Sequence, residues 1–319
     1  MHLIKDIRKK IDFYKKKLLE RNVDLNFENL ISLDKANRET IQKKESLEQE
    51  KKKLSKTKDK LNFEKSKKLS VEINVLTEKN DLTHEKIKKI LSNIPNIALD
   101  DVPIGKDEKS NKIIKKVGEI KKFSFKVKSH SELGYKDIDF ESSIKLSGSR
   151  FVVLKNKYAL LERALINFML DVHTTKFNYT EISPPLIVNE KTMYGTGQLP
   201  KFENDQFELK SEKTNERKFL IPTAEVVLTN LVRESMINIK DLPLRFVAST
   251  PCFRKEAGSY GKDTKGMMRQ HQFYKVELVS IVEEKFCNEE LLRKLECAED
   301  ILKQLNIPYQ VSLLSTGDM

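Results

Sequence analysis

The sequence predicts an α+β chain: an N-terminal antiparallel helical coiled-coil arm over residues 1–100, a linker over 101–120, and a domain of antiparallel strands and helices over 121–319. Three observations carry that expectation. Residues 27–94 are dense in charge and contain neither glycine nor proline, so no strong breaker interrupts a long helix. Residues 96–118 introduce Pro103 and Gly105 among alternating acids and lysines, the composition of a connection. Residues 250–279 set two strand-like runs on either side of a basic, glycine-punctuated stretch.

Composition narrows the class. The 319 residues, 38% of them apolar, suffice for a core in part of the chain. A net charge of +12 suits a polyanionic partner, although lysine is used throughout and only clustering separates a binding patch from bias. Cys252, Cys287 and Cys297 lack CxxC spacing, so neither a zinc site nor a disulfide framework is indicated. No apolar signal core opens the chain, and no run approaches the roughly 18 apolar residues of a membrane span. A soluble, cytoplasmic protein is the expectation.

Taken in order, Leu3 to Arg21 predicts an amphipathic helix through Ile4, Ile7, Ile11, Tyr14 and Leu18, with Asp24 or Asn26 capping the next helix. Between residues 69 and 94, Leu69, Ile73, Leu76, Asn80, Thr83, Ile87, Ile90 and Ile94 alternate steps of four and three, a coiled-coil seam. Leu33, Leu47, Leu54 and Leu61 hold a weaker register. Two helices folded back on each other, each on the order of 45 Å long, satisfy both halves. Their turn is expected near Asp59 to Lys65, amid Lys51, Lys52, Lys53, Lys56, Lys58, Lys60, Lys65, Lys67 and Lys68. Such a charge run is either a solvated face or a grip on phosphates. Further on, Phe123 to Val127 and Phe151 to Leu154 predict short strands, His130 to Ile138 a short helix, and Tyr158 to Phe177 a long amphipathic one. A helix over 288–306, capped by Asn288 with Leu291, Leu295, Ile301, Leu302 and Leu305 inward, precedes a strand over 310–314.

Strand alternation would set Arg254 and Glu256 on one face, and Phe273, Lys275 and Glu277 together on the returning strand. An arginine fork, two carboxylates and an aromatic ring are an odd choice for a core face. They suit a ligand with phosphate, amine and base, or else a solvated hairpin. Gly258, Gly261 and Gly266 would keep the connection pliable, and Lys262, Lys265 and Arg269 make it cationic. His271 has no evident partner, the other histidines are isolated, and Cys252 has no base beside it.

The stretch resembles motif 2 of class II aminoacyl-tRNA synthetases through Phe253, Arg254, Lys255 and Glu256, and its full wording TPCFRKEAGSYGKDTKGMMRQHQF is similar to that of bacterial-type seryl-tRNA synthetases. Thr223, Ala224 and Glu225 match that family's TAE serine-binding loop, and Tyr194 to Pro200 and Ser147 to Phe151 also match in order. The long helix leading to Pro184 and Pro185 resembles motif 1, with Pro185 the best match to its proline. Lys53 to Thr57 is similar to the KMSKS signature of class I synthetases, but the companion HIGH-type loop is absent.

The resemblance implies a class II catalytic domain, an antiparallel sheet flanked by helices, here without the C-terminal part that carries motif 3. It implies activation of L-serine by ATP with Mg²⁺ and transfer to tRNA(Ser), with tRNA(Sec) a possible further acceptor, in a homodimer joined at motif 1. By the same token Arg254 meets the α-phosphate and carboxylate, Lys255, Glu256 and Phe273 the nucleotide, and Thr223, Ala224, Glu225 and Glu277 the serine. The arm would hold tRNA. A catalytically inactive tRNA-binding relative is the alternative that the missing motif 3 leaves open, and a plain coiled-coil scaffold would leave the TAE and motif 2 matches unexplained.

Overall fold

The computed structural model describes residues 2–56, 60–134, 136–210, 216–257 and 266–319, apart from the side chains of Lys60 and Leu61. Two compact units divide the chain, Met1–Lys115 with Gln310–Met319 and Lys116–Tyr309.

In the first unit the expected single N-terminal helix is two, α1 (Ile4–Lys9) and α2 (Ile11–Glu20), because Lys10 leaves helical dihedrals at φ −131° and ψ 43°. Helix α3 (Phe27–Leu54) starts where the side chain of Asn26 accepts a hydrogen bond from the Asn29 amide at 2.9 Å, and α4 (Lys60–Asn93) returns beside it. Of the expected turn over Asp59 to Lys65, residues 60–65 are already helix, and Asp59 lies outside the described residues. At the base, Ile7, Tyr14, Leu18, Phe27 and Leu30 pack with Ile87, Leu91 and Ile94. Along the hairpin α4 buries Ile73 and Leu76 as its seam spacing requires, whereas α3 offers Asn37, Thr40 and Lys44. That polar face explains the weak register of the first half. Lys43 and Glu72 bridge the helices at 2.8 Å.

Within the stretch expected to be linker, β1 (Lys112–Val117) is a strand that pairs with β10 (Tyr309–Leu313). The segment after β10 is fastened by side chains: Asn111 accepts from the Ser315 amide at 2.8 Å, and Thr316 Oγ1 accepts from the Gly105 amide at 3.1 Å. A Cβ on Gly105 would stand 2.1 Å from Ser110 Cβ, so only glycine fits there.

The second unit begins with α5 (His130–Leu133), β2 (Ile138–Asp139), α6 (Phe140–Ser147) and β3 (Val153–Leu154), which pairs antiparallel with β2. The expected strand over Phe123 to Val127 does not form. Helix α7 (Asn156–Thr175) leads to β4 (Thr180–Glu181), β5 (Ile187–Asn189), α8 (Glu190–Gly195), β6 (Glu208–Leu209), β7 (Lys218–Leu220) and α9 (Glu225–Asn230). The long strands β8 (Leu244–Phe253) and β9 (Gln272–Ile281) pair antiparallel over ten positions, as the sequence predicts. One correction applies to this sheet: β4 joins β8 in parallel, Thr180 opposite Phe246. A second sheet, β5-β7-β6, is antiparallel, and Met193, Phe219, Ile221, Val226 and Leu228 fill the core with Ala248 and Val279.

Helix α10 (Cys287–Gln304) starts one residue before its expected Asn288 cap, and its N-cap is instead Phe286, which offers no side-chain cap bond. Its buried face is also different. Glu290, Cys297, Glu299 and Ile301 point inward, while Leu291 and Leu292 are 60% and 63% exposed. The reason is charge. Arg245 grips Glu290 through two bonds of 2.8 Å, and Arg293 bonds both Glu290 at 2.7 Å and the Tyr179 hydroxyl at 2.8 Å. Desolvation pushes the Glu290 carboxyl up, but the bonds from Arg245 and Arg293 outweigh it and hold it below the usual carboxylate range.

Candidate active site

The β8–β9 register sets Ala248 opposite Glu277, Thr250 opposite Lys275 and Cys252 opposite Phe273. Directly opposed residues share a face, so three small buried side chains lie beside one long acidic, one long basic and one aromatic side chain. That pairing leaves room above the floor.

Into this room comes the turn that opens α9. Thr223 is buried, and its hydroxyl donates to Glu277 Oε2 at 2.6 Å while accepting from Lys275 Nζ at 2.9 Å and from the Glu225 amide at 3.3 Å. One donor and two acceptor positions are all filled. Lys275 and Glu277 also form an ion pair. Ala224 is wholly buried beneath, whereas the side chain of Glu225 faces solvent as the first residue of α9 and joins none of these bonds. The structure thus brings Thr223 and Glu277 together and adds Lys275, to which the sequence alone assigns no role.

Arg254 follows the last residue of β8. Its amide donates to the His271 carbonyl at 2.9 Å, its Nε donates to the Pro222 carbonyl at 3.2 Å, and its guanidinium lies 5.4 Å from the centre of the Phe273 ring. A planar cation beside an aromatic face is available for a phosphate and a flat base. Alternation does not place Glu256, because β8 has ended and Glu256 sits at φ +53°. Its carboxylate instead accepts from Arg269 at 2.6 Å, closing the base of the connection. Lys255 is exposed, with its ammonium 5.9 Å from the Phe207 ring centre. Gly258, Gly261, Lys262 and Lys265 lie outside the described residues. Gly266 meets a close neighbour: a Cβ there would come within 2.3 Å of His130 Nε2, which accepts from the Met267 amide at 2.8 Å.

Several supporting residues carry no role in the sequence patterns. Asp205 accepts from the Lys255 amide through its carbonyl at 2.8 Å and from the Ala257 amide through its carboxylate at 2.7 Å. The Arg150 carbonyl accepts from the His271 amide at 2.9 Å, and Arg150 Nη1 approaches the Glu256 carbonyl at 3.4 Å. His271, far from lacking a partner, bonds the Arg254 carbonyl through Nδ1 at 2.9 Å and packs against Phe151 and Phe207. Of these, Arg150 and Phe151 lie in the Ser147 to Phe151 match and His271 in the motif 2 wording, whereas Asp205 and Phe207 carried no signal. Cys252 is fully buried and desolvation pushes its thiol up, the opposite of an activated nucleophile.

Away from this cluster, Pro185 is exposed on the coil between β4 and β5. Of the arm lysines, Lys52, Lys53, Lys56, Lys65, Lys67 and Lys68 are exposed at the hairpin's far end and Lys51 is half-buried. Lys58 and the side chain of Lys60 lie outside the described residues.

A strand pair that holds an arginine at its mouth, an aromatic ring beside it and a polar triad deeper in defines a class II aminoacyl-tRNA synthetase core, and residues 207–319 match the tRNA synthetase class II core domain (G, H, P, S and T) family. Residues 1–98 match the seryl-tRNA synthetase N-terminal domain family. The chain is 57% identical to the serine--tRNA ligase of Pelagibacter ubique across its whole length and 77% of that protein, and 46% identical to that of Ehrlichia canis over the same shares. A seryl-tRNA synthetase from Pyrococcus horikoshii, solved with ATP, superposes with a TM-score of 0.87 at 32% identity, covering 100% of this chain and 78% of that one. A cytoplasmic serine-tRNA ligase from Naegleria fowleri, solved with AMP, gives 0.82 at 25% identity over 97% of this chain and 73% of its own. The chain belongs to the seryl-tRNA synthetase family.

Proposed function

We propose that this chain activates L-serine with ATP and passes the seryl group to tRNA(Ser). The observation that carries the reading is the cluster of buried Thr223 with half-buried Lys275 and Glu277, the latter two on the same strand face as Phe273, with Arg254 over that ring. A serine carboxylate oxygen attacks the α-phosphorus, the bond to the β-phosphate oxygen breaks, and pyrophosphate leaves. A ribose hydroxyl at the 3′ end of the tRNA then attacks the seryl carbonyl and AMP departs. Such chemistry asks for position and charge neutralisation, with no protein nucleophile required.

In this scheme Arg254 bridges the serine carboxylate and the α-phosphate, while Phe273, Glu256 and Lys255 receive the nucleotide. Thr223, with Ala224 beneath it, Glu225 and Glu277 receive the serine hydroxyl and ammonium. Polar groups set for a hydroxyl disfavour alanine by about 10⁴, because the wrong substrate leaves them unpaired. Mg²⁺ bound with the nucleotide would supply charge neutralisation at the phosphates; among the described residues no three His, Cys, Asp or Glu side chains come together as a metal cage.

Residues 1–100 would serve as the tRNA-binding arm, 101–120 as the connection and 121–319 as the catalytic domain. The lysines from Lys51 to Lys68 would follow the RNA backbone, whose base edges an A-form helix hides. A homodimer through α7 and Pro185 is supported by Leu160 and Leu161, 55% and 50% exposed on that helix. Cytoplasmic placement accords with a role in charging tRNA, and no helix among the described residues is long and apolar enough to cross a membrane.

Pyrophosphate exchange into ATP across a panel of amino acids tests the activation step. Serine-dependent exchange, lost in Arg254→Ala and indifferent to alanine until Glu277→Ala is introduced, is the expected pattern. Exchange with another amino acid, or an unchanged serine-to-alanine ratio in Glu277→Ala, would refute the assignment.

A further inference from the structure

We propose that residues 116–128 form a second RNA-contacting strip, in which Phe123 and Phe125 stack against unpaired bases and the neighbouring lysines follow phosphates; this rests on tRNA being the partner proposed for the chain. Lys121 to Lys128 reads KKFSFKVK, with Phe123, Phe125 and Val127 alternating with Lys122, Lys126 and Lys128. That is the pattern of a half-buried strand. Among the described residues, however, no strand pairs with it, and every residue from Gly118 to Ser129 is exposed. Phe123 and Phe125 keep 53% and 66% of their surface in water, and Ile120 keeps 86%.

A run of exposed rings marks a contact surface, and its charge selects the partner. Residues 116–128 contain Lys116, Lys121, Lys122, Lys126 and Lys128 against Glu119 alone. A second copy of the chain would bring the same lysines and the same net charge of +12, so self-association here sets like charges together. A polyanion with flat apolar faces meets both demands at once, and unpaired RNA is such a ligand. The two rings lie 5.1 Å apart, centre to centre, at 49°. A base inserted between them would need about 7 Å, twice the roughly 3.4 Å stacking rise. They therefore leave no slot, and an unpaired base would stack on the outer face of either tilted ring, outside any duplex.

The test uses the full chain and a tRNA(Ser) transcript, with binding followed by fluorescence anisotropy over a salt series. Removing four cations in Lys121→Ala/Lys122→Ala/Lys126→Ala/Lys128→Ala should reduce the slope of log affinity against log salt by about 3, at roughly 0.7–0.9 per phosphate. Phe123→Ala/Phe125→Ala should weaken binding tenfold or more, about the loss of one stacked base, at an unchanged slope. Serine-dependent pyrophosphate exchange should stay at the parent level in both. Because the chain has no tryptophan, Phe125→Trp supplies a sole indole whose emission should be quenched as the transcript binds. The idea is overturned if the parent binds tRNA and both multiple variants keep its affinity and slope. It is equally overturned if the phenylalanine variant alters only the sedimentation of the protein, which would give the surface to a second copy. Failure of the parent itself to bind tRNA would instead defeat the tRNA reading, a result visible before any variant is made.

Discussion

Thr223 shows how much one hydroxyl can hold in place. It is the shared partner of Lys275, Glu277 and the first amide of α9, so Thr223→Val keeps the shape but takes one hydrogen bond from each, leaving Lys275 and Glu277 to their own ion pair and the amide unpartnered by that hydroxyl. Leaving a buried polar group unpaired costs about 1–3 kcal/mol, and chemical denaturation should show a loss of that size. The same variant should raise KM for serine while leaving that for ATP near the parent value, and Thr223→Ser should restore both. Arg254 makes a complementary case: Arg254→Lys keeps the charge but loses the planar fork and the surface against Phe273, so exchange should fall by at least tenfold. Of these residues the sequence announced Thr223 and Arg254 through their motifs, and Glu277 through strand alternation and the serine contact that the resemblance implies. Lys275 was visible on the right face but lacked a motif of its own, and the Arg269 partner of Glu256 was hidden because a positive φ at Glu256 ends the strand alternation.

Helix α10 carries the corresponding lesson about elements. Of the residues expected in its core stripe Ile301 is buried, yet Leu291 faces water while Glu290 is buried between Arg245 and Arg293. Periodicity counts apolar residues and cannot see that two arginines from other elements make a glutamate the better buried group. Removing one member of a buried ion network costs about 3 kcal/mol or more, whereas an exposed leucine is worth a few tenths. Urea midpoints should therefore separate Glu290→Ala from Leu291→Ala by most of that difference. Beside it the end of α7 buries His173 to 3% exposure, with Nδ1 unpartnered among the described residues. Desolvation lowers its pKa, Asp300 opposes and Arg293 reinforces the shift. The unfolded chain thus takes up this proton first, at about pH 6.5, so the site's stability is intact above that value and is lost as pH falls through the lower folded pKa. Thermal melts between pH 7 and 5 should show His173→Phe losing less stability than the parent over this window. The coiled coil was easier to foresee. In α4 the seam residues Ile73, Leu76 and Ile87 are buried at the positions their spacing gives, while α3, with Asn37 and Lys44 along it, offered the sequence little contrast.

At the scale of the whole molecule the sequence located elements better than their partners. It found the long hairpin, the paired strands β8 and β9 and the motif residues, each marked by a local period or a short wording. It did not find the parallel β4 or the fastening of Ser315 and Thr316 onto Gly105 and Asn111, because such contacts join residues far apart in the chain through groups that carry no repeat. The division into two units has a functional counterpart that can be measured. The arm-tip lysines belong to the first unit and the Thr223–Lys275–Glu277 triad to the second. If the arm contributes phosphate contacts alone, Lys52→Ala/Lys53→Ala/Lys56→Ala should lower the salt slope of tRNA binding by about 2–3, at roughly 0.7–0.9 per contact, while serine-dependent pyrophosphate exchange is unchanged. The aminoacylation rate at limiting tRNA should fall with the affinity, and saturating tRNA should recover it. A drop in exchange instead would mean that the arm's charges reach the activation chemistry, and binding and activation would then not divide along the two units.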